Sequence, residues 1–459
     1  MKPRTTLILF GVFAVLLAAV LLFESRTKAK KETEEKSKKL VDLTAADVEK
    51  ITLKNDSGII TFKKDDKGGW LIVEPIEAQA DASEVNRLAE DFSSLKPERV
   101  VEEEAADPAK YEIPKKELTL WYKGKTQPVK LLIGMENPLD NTLFAKREDD
   151  KRIVLLAGYL KTNLEKKTSD FRQKDIFRFE PEDVAGIKLK AKDVSWQAQK
   201  KDTDWFLESP VRAMAKKSGM EDVLRALSNL RAKEFVSEEK RADEITKFGL
   251  QDPEYSVTLR LPAKNQEIVF SLHKQDDTVY ATNSLTSKIV SAEGQILTDI
   301  EKKPDDLREK RVLVFNSWEA DKVHLKKGGL DLIVSKDADS KWSFEGPAKE
   351  EADGSKVETL VRKIESLEAV SFIDTPEGLP AYGLDQPQAE VTVWTKDGEK
   401  EKEFRVQVGK EDPGTKQVVL RNPALPYLFR VDAAFLSDFP KEAKDWKPVP
   451  PENEKETKK

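Results

Sequence analysis

Imidazole, thiol and paired carboxylate carry much of enzyme chemistry at neutral pH, and this sequence is poor in the first two. Its 459 residues include no cysteine and two histidines, His273 and His324. Without thiols there is no cysteine nucleophile, disulfide or cysteine-ligated metal, while the redox compartment stays open. The histidines fall at different places in the chain's periodic pattern with no third ligand beside either, so both read as surface residues. Carboxylates are plentiful, as in Glu102-Glu103-Glu104 and Glu350-Glu351. Such runs read as solvated faces, because acid/base work needs two carboxyls whose surroundings separate their pKa values. No Gly-rich phosphate loop opens a helix, and there is no Gly-x-Ser-x-Gly elbow or basic stripe with interleaved aromatics. The chain reads as non-catalytic, with no cofactor, no metal and no nucleic acid.

A different chemistry, stacking against sugar rings, is open to three tryptophans. Trp70, Trp205 and Trp342 stand 135 and 137 residues apart, and each opens a Trp-x4-Pro stretch ending at Pro75, Pro210 or Pro347. The competing reading makes each ring the anchor of its own domain's core, with the proline ending a strand. Recurrence in register favours the core. Exposure separates the two readings, since a platform needs a ring face open to water.

The tryptophans also mark the period of the whole chain, about 136 residues and close to a common domain size. Each period begins with an alternating strand, Ile51-Thr52-Leu53, Ile187-Lys188-Leu189 and Val323-His324-Leu325. After the tryptophan comes an amphipathic helix with apolar residues at Val85, Leu88, Ala89, Phe92 and Leu95. The same spacing recurs from Met220 to Leu230 and from Val357 to Leu367. Ser218 with Glu221, and Ser355 with Glu358, read as capping boxes, with Ser83 and Asn86 a weaker version. Further strands follow, from Leu118, Val129 and Leu143 in the first period and at matching places in the others. Asp170-Phe171-Arg172, Asp306-Leu307-Arg308 and Asp445-Trp446-Lys447 mark the exits, where Phe171 and Leu307 are expected to fix each domain against the next. These patterns predict an α+β fold: three tandem copies of one mixed strand/helix domain.

Thr5 to Phe23 is an uncharged apolar run that as a helix would cover about 28 Å, enough to cross a bilayer. It ends Leu21-Leu22-Phe23-Glu24, a poor signal-peptidase site, so an uncleaved transmembrane helix is expected. The expected organisation is an anchor over 1–24, a charged stalk over 25–40, repeat domains over 41–177, 178–313 and 314–446, and a polar tail over 447–459. The basic residues that follow the run would by count place the bulk in the cytoplasm, although acidic residues are interspersed; charge alone leaves the side open. At 36 % charged residues and a net charge of −6, the surface has no global attraction to nucleic acid or acidic lipid.

The strand opening Asp183-Val184-x-x-Ile187-x-Leu189, the exit Asp306-Leu307-Arg308-Glu309-Lys310 and an aromatic-Gly-Leu-x-x-Pro element resemble the bacterial family of domain of unknown function 4340. The last element stands as Phe248-Gly249-Leu250 to Pro253 and Tyr382-Gly383-Leu384 to Pro387, and its glycines read as turn formers. In the first period Tyr111-Glu112-Ile113-Pro114 replaces it, two residues short. The resemblance spans roughly 41–446. It implies a membrane-anchored, periplasmic accessory or scaffold protein of the bacterial inner membrane, associated with an ABC-type transporter and its integral-membrane subunits. No catalytic residues are carried over. A module binding envelope glycan or lipid is the alternative.

Overall fold

Alternation decides which faces are buried. In the strand Val48–Asn55, Val48, Ile51 and Leu53 point into a core while Thr52 and Lys54 point away. The computed structural model describes residues 39–346, 349–397 and 400–448. The expected anchor over 1–24, most of the charged stretch, most of the polar tail and Pro347 lie outside them. Among the described residues, no helix is long and apolar enough to cross a membrane. The chain divides into two compact units between Ile176 and Phe177.

The first unit holds one antiparallel sheet. Its strands are β1 (Val48–Asn55), β2 (Gly58–Lys64), β3 (Trp70–Glu74), β4 (Ala78–Gln79), β5 (Arg99–Glu102), β6 (Lys116–Tyr122), β7 (Val129–Glu136), β8 (Leu143–Arg147) and β9 (Ile153–Leu156). They lie in the order β4-β3-β2-β1-β6-β7-β8-β9-β5. Helix α1 (Ala82–Ser93) buries Val85, Leu88, Ala89 and Phe92 in the core on one face of this sheet. Leu40, expected at the end of the charged stalk, is fully buried in the same core.

The second unit holds two sheets. One comprises β10 (Gly186–Ala191), β11 (Val194–Lys201), β12 (Asp204–Ser209), β13 (Ala213–Met214), β14 (Glu234–Ser237), β15 (Tyr255–Leu261), β16 (Gln266–Gln275), β17 (Thr278–Asn283) and β18 (Ile289–Ala292), with helix α2 (Lys217–Ser228). Its order, β13-β12-β11-β10-β15-β16-β17-β18-β14, repeats that of the first sheet. The other comprises β19 (Ala320–Lys327), β20 (Leu330–Lys336), β21 (Trp342–Phe344), β22 (Ser371–Ile373), β23 (Ala389–Asp397), β24 (Lys400–Asp412), β25 (Gln417–Arg421) and β26 (Leu428–Asp432), with helix α3 (Gly354–Glu365). Its order, β21-β20-β19-β23-β24-β25-β26-β22, lacks only the short edge strand, where a single bridge joins Ser343 and Glu351. Strand far outweighs helix throughout, so the fold is α+β in which one long helix serves each large sheet.

Two local expectations fail. The serines do not cap the helices. Asp81 and Asp353 are the N-caps, accepting from the backbone N–H groups of Ser83 and Glu84 and of Ser355 and Lys356, while Lys216, at the N-cap position of α2, makes no side-chain cap. A carboxylate two residues earlier, at the N-cap position, reaches those orphan donors better than a hydroxyl already inside the helix. The second failure concerns the exits. Phe171 packs edge-on against Phe62 in its own sheet's core, and Leu307 lies against the first turn of its own α2. Both close their own sheet.

Candidate functional site

The three tryptophans are 2–3 % exposed, so none offers a ring face to a sugar. Each is opposite a lysine on the adjoining strand, in the pairs Lys64–Trp70, Lys200–Trp205 and Lys336–Trp342. In the first and third the ammonium lies over the ring, at 5.1 and 5.0 Å from its centroid. The indole N–H of Trp70 donates to Asn86 Oδ1 at 2.8 Å, and that of Trp342 to Glu358 Oε1 at 3.4 Å. The side chains read from sequence as halves of capping boxes therefore satisfy buried indoles. Pro75 and Pro210 follow strand ends through cis peptide bonds.

The aromatic-Gly-Leu element builds a second, smaller core on the opposite face of each sheet. β9 is buried on both sides: Val154 and Leu156 enter the main core, Ile153 and Leu155 the small one, with Ile113 and Phe144. The counterparts gather Phe248, Leu250 and Ile289, and Leu384, Val419 and Leu428. Gly249 and Gly383 have φ of +68° and +67°, and Glu112 takes the same left-handed conformation at +54°. The first period thus keeps the turn with a non-glycine residue, and Ile113 stands for the leucine. Pro253 and Pro387 follow in the loops leading to β15 and β23. Close approach explains two more glycines, since a Cβ on Gly134 or Gly409 would overlap the carbonyl of Tyr111 or Tyr382. His273 occupies the corresponding place in the second sheet. Its ring lies against Gly249 with Nδ1 buried and unpartnered, so the residue expected at the surface is half-buried.

His324 pairs with Asp331 at 2.6 Å across the β19–β20 hairpin, in a different sheet from His273. Among the described residues no group of three or more His, Asp or Glu is placed to hold a metal ion. The carboxylate runs resolve into surface contacts. Glu102 is held below the usual glutamate range by hydrogen bonds from Lys110 and Tyr111, and Glu350 pairs with Lys447.

What sequence reasoning missed lies within the second unit, where its two sheets meet. The segment after Leu307 is paired on both edges. Glu309 N–H donates to Met214 O at 2.9 Å on one side, and Val312 N–H to Leu367 O at 3.0 Å on the other. Bridges Ala215–Arg308 and Arg311–Glu368 continue both pairings. Arg308 is the centre of this joint. Its guanidinium is buried, donates twice to Asp374 at 2.7 and 3.2 Å, and lies 3.7 Å from the Phe372 ring and 5.1 Å from that of Tyr427. The Tyr427 hydroxyl accepts from Met214 N–H at 3.2 Å, and burial raises its pKa. Burial also pulls Glu309 upward, but hydrogen bonds from the Arg311 side chain and backbone outweigh it and hold the carboxyl below its ordinary value. Ala213 of β13 packs into the core of the third sheet. The arrangement can fix two sheets against each other; nothing in it activates a nucleophile.

Beside the joint runs a groove of about 630 Å³, walled by β12 and β13 on one side and by the β25–β26 turn on the other. A second cavity of about 600 Å³ adjoins the C-terminal end of α2, but its charges compensate locally: Arg225 pairs with Asp222, and Glu293 with Lys233.

A family model described as Domain of unknown function (DUF4340) matches residues 70–244 and 205–387, and both matches open on a repeated tryptophan. No curated protein matches. Among solved structures, the DNA polymerase III subunit beta from Pseudomonas aeruginosa aligns at 8 % identity over 85 % of this chain and 94 % of that one, with a TM-score of 0.17. A DNA polymerase III beta subunit from Eubacterium rectale aligns at 7 % identity over 86 % and 94 %, with a TM-score of 0.16. Scores this low carry no argument about fold or function.

Proposed function

The chain belongs to the family described as Domain of unknown function (DUF4340), and from that premise we propose that it is a scaffold or accessory protein of an ABC-type envelope transport complex, with no catalysis of its own. In this reading residues 5–23 anchor it in the bacterial inner membrane. Three tandem copies of one domain, over 41–177, 178–313 and 314–446, stand in the periplasm and meet integral-membrane transporter subunits or other envelope proteins. The shared strand order of the three sheets supports the copies. The observation that carries the scaffold is the Arg308 joint. A scaffold has to hold separate surfaces in fixed relation, and a buried fork on Asp374, lying over the Phe372 ring with Tyr427 beside it and flanked by paired backbone, does that. A glycan module built on the tryptophans lacks support, because all three rings are covered.

The test is purification of the tagged full chain from its native membrane in mild detergent, with co-purifying proteins identified by mass spectrometry. Stoichiometric recovery of transporter membrane subunits is expected. Recovery without any membrane-protein partner would overturn the reading. Protease added to intact spheroplasts should digest residues 41–446, and complete protection would overturn the periplasmic assignment.

A further inference from the structure

The groove beside the joint has a composition that the scaffold role does not use. Phe206 and Met214 are cross-strand partners on β12 and β13. Trp205 and Leu207 take the buried positions on either side of Phe206, which leaves Phe206 for the outer face, where it borders the groove. Leu425 and Pro426 form the opposite wall. Two cations stand over this apolar floor. Lys201 holds its ammonium 5.5 Å from the Phe206 ring, and Arg212 projects from the turn between the two strands. Neither has a carboxylate partner among the described residues. The acid in the lining, Glu208, is engaged by the amides of Gln197 and Gln199 at 2.8 Å each, with the Gln199 amide oriented to suit.

We propose that this groove binds an anionic amphiphile: a single alkyl chain lying between Phe206, Met214, Leu425 and Pro426, with its anionic headgroup held by Arg212 and Lys201. The volume falls within the roughly 300–1,000 Å³ typical of small-ligand pockets, which pair an apolar lining with a few placed polar groups. Arg212 supplies a planar fork for phosphate or carboxylate oxygens, and Lys201 a second point charge. Because the walls come from both sheets of the second unit, occupancy also clamps the joint.

The experiment uses the full chain in zwitterionic nanodiscs, with empty nanodiscs as blank, titrated calorimetrically with octyl phosphate, inorganic phosphate and octyltrimethylammonium. Octyl phosphate is expected to bind saturably at one site per chain, with the other two weaker by about tenfold or more. The double variant K201E/R212E should lose affinity by a similar factor. Both side chains are exposed, and an unchanged thermal midpoint verifies the fold. Leu425→Trp, which fills the groove without altering charge, should also abolish binding. Equal binding of the three probes, no octyl phosphate binding, or full affinity in both variants would overturn the proposal. The scaffold reading is judged by co-purifying partners, so the two can fail separately.

Discussion

Replacing Arg308 tests the joint most directly, and its size can be worked from the surroundings. The side chain is 2 % exposed and the Asp374 side chain 40 %, so the two ends of the pair differ in what they lose. Hydrogen bonds involving charged groups contribute about 1.5–3 kcal/mol, and the half-hydrated carboxylate argues for the lower end here. Stacking of the guanidinium 3.7 Å from Phe372, away from water, adds about 1–2 kcal/mol. Arg308→Ala should therefore cost about 3 kcal/mol. Asp374→Ala, which leaves a buried guanidinium without its carboxylate, should cost about as much, roughly 3 kcal/mol. Arg308→Lys keeps the charge without the fork and should cost less than either. Guanidinium unfolding of the full chain, followed by tryptophan fluorescence, gives the midpoints. Hydrogen exchange at Met214 and Val312, the amides donated to Tyr427 and Leu367, reports the joint locally. An Arg308→Ala cost below about 1 kcal/mol, or exchange at those amides unchanged, would refute the account.

Trp205→Ala should cost about 3–5 kcal/mol in unfolding free energy, because it empties a buried site beside α2; unaltered stability would contradict a core role. Gly134→Ala should destabilise by about 1–3 kcal/mol, since its methyl would overlap the fixed Tyr111 carbonyl and the Ile113 side chain, whereas Glu112→Gly should stabilise by about 0.5–1 kcal/mol by relieving a left-handed glutamate. Both are read by thermal or denaturant midpoints. Glu309 has a folded pKa below its reference of 4.5, so the stability it contributes is present above that value and lost as pH falls through the lower folded value. The gap in unfolding free energy between the native protein and Glu309→Gln should be full at pH 7 and shrink below 4.5; a constant gap would refute the assignment.

Much of the fold was legible because its signals are local. Strand alternation at Ile51 and Leu53, and the helical spacing of Val85, Leu88, Ala89 and Phe92, are each fixed by a dozen neighbouring residues. The tryptophans were legible through recurrence. The caps were not, because Asp81 and Ser83 are both good capping residues and only the backbone angle shows which one precedes the helix. Nor was the joint. Arg308 and Asp374 are 66 residues apart, and neither differs in type from dozens of surface charges until folding buries one of them. The groove is equally silent in sequence, since its two walls lie more than two hundred residues apart.

The way each exit segment returns to its helix has a consequence for the order in which the chain is made. Phe171 O accepts from Asp81 N–H, Leu307 O from Lys216 N–H and Trp446 O from Asp353 N–H, so the last residues of each sheet cover the start of a helix synthesised about ninety residues earlier. During vectorial synthesis or export, that helix start lacks its partner until the final segment arrives. The autonomous stretch for the first sheet therefore runs from Leu40 to about Gln173, with Phe171 inside the core. Fragments cut from tryptophan to tryptophan would instead give one sheet's opening hairpin to its predecessor. An expression boundary placed there would split two cores at once.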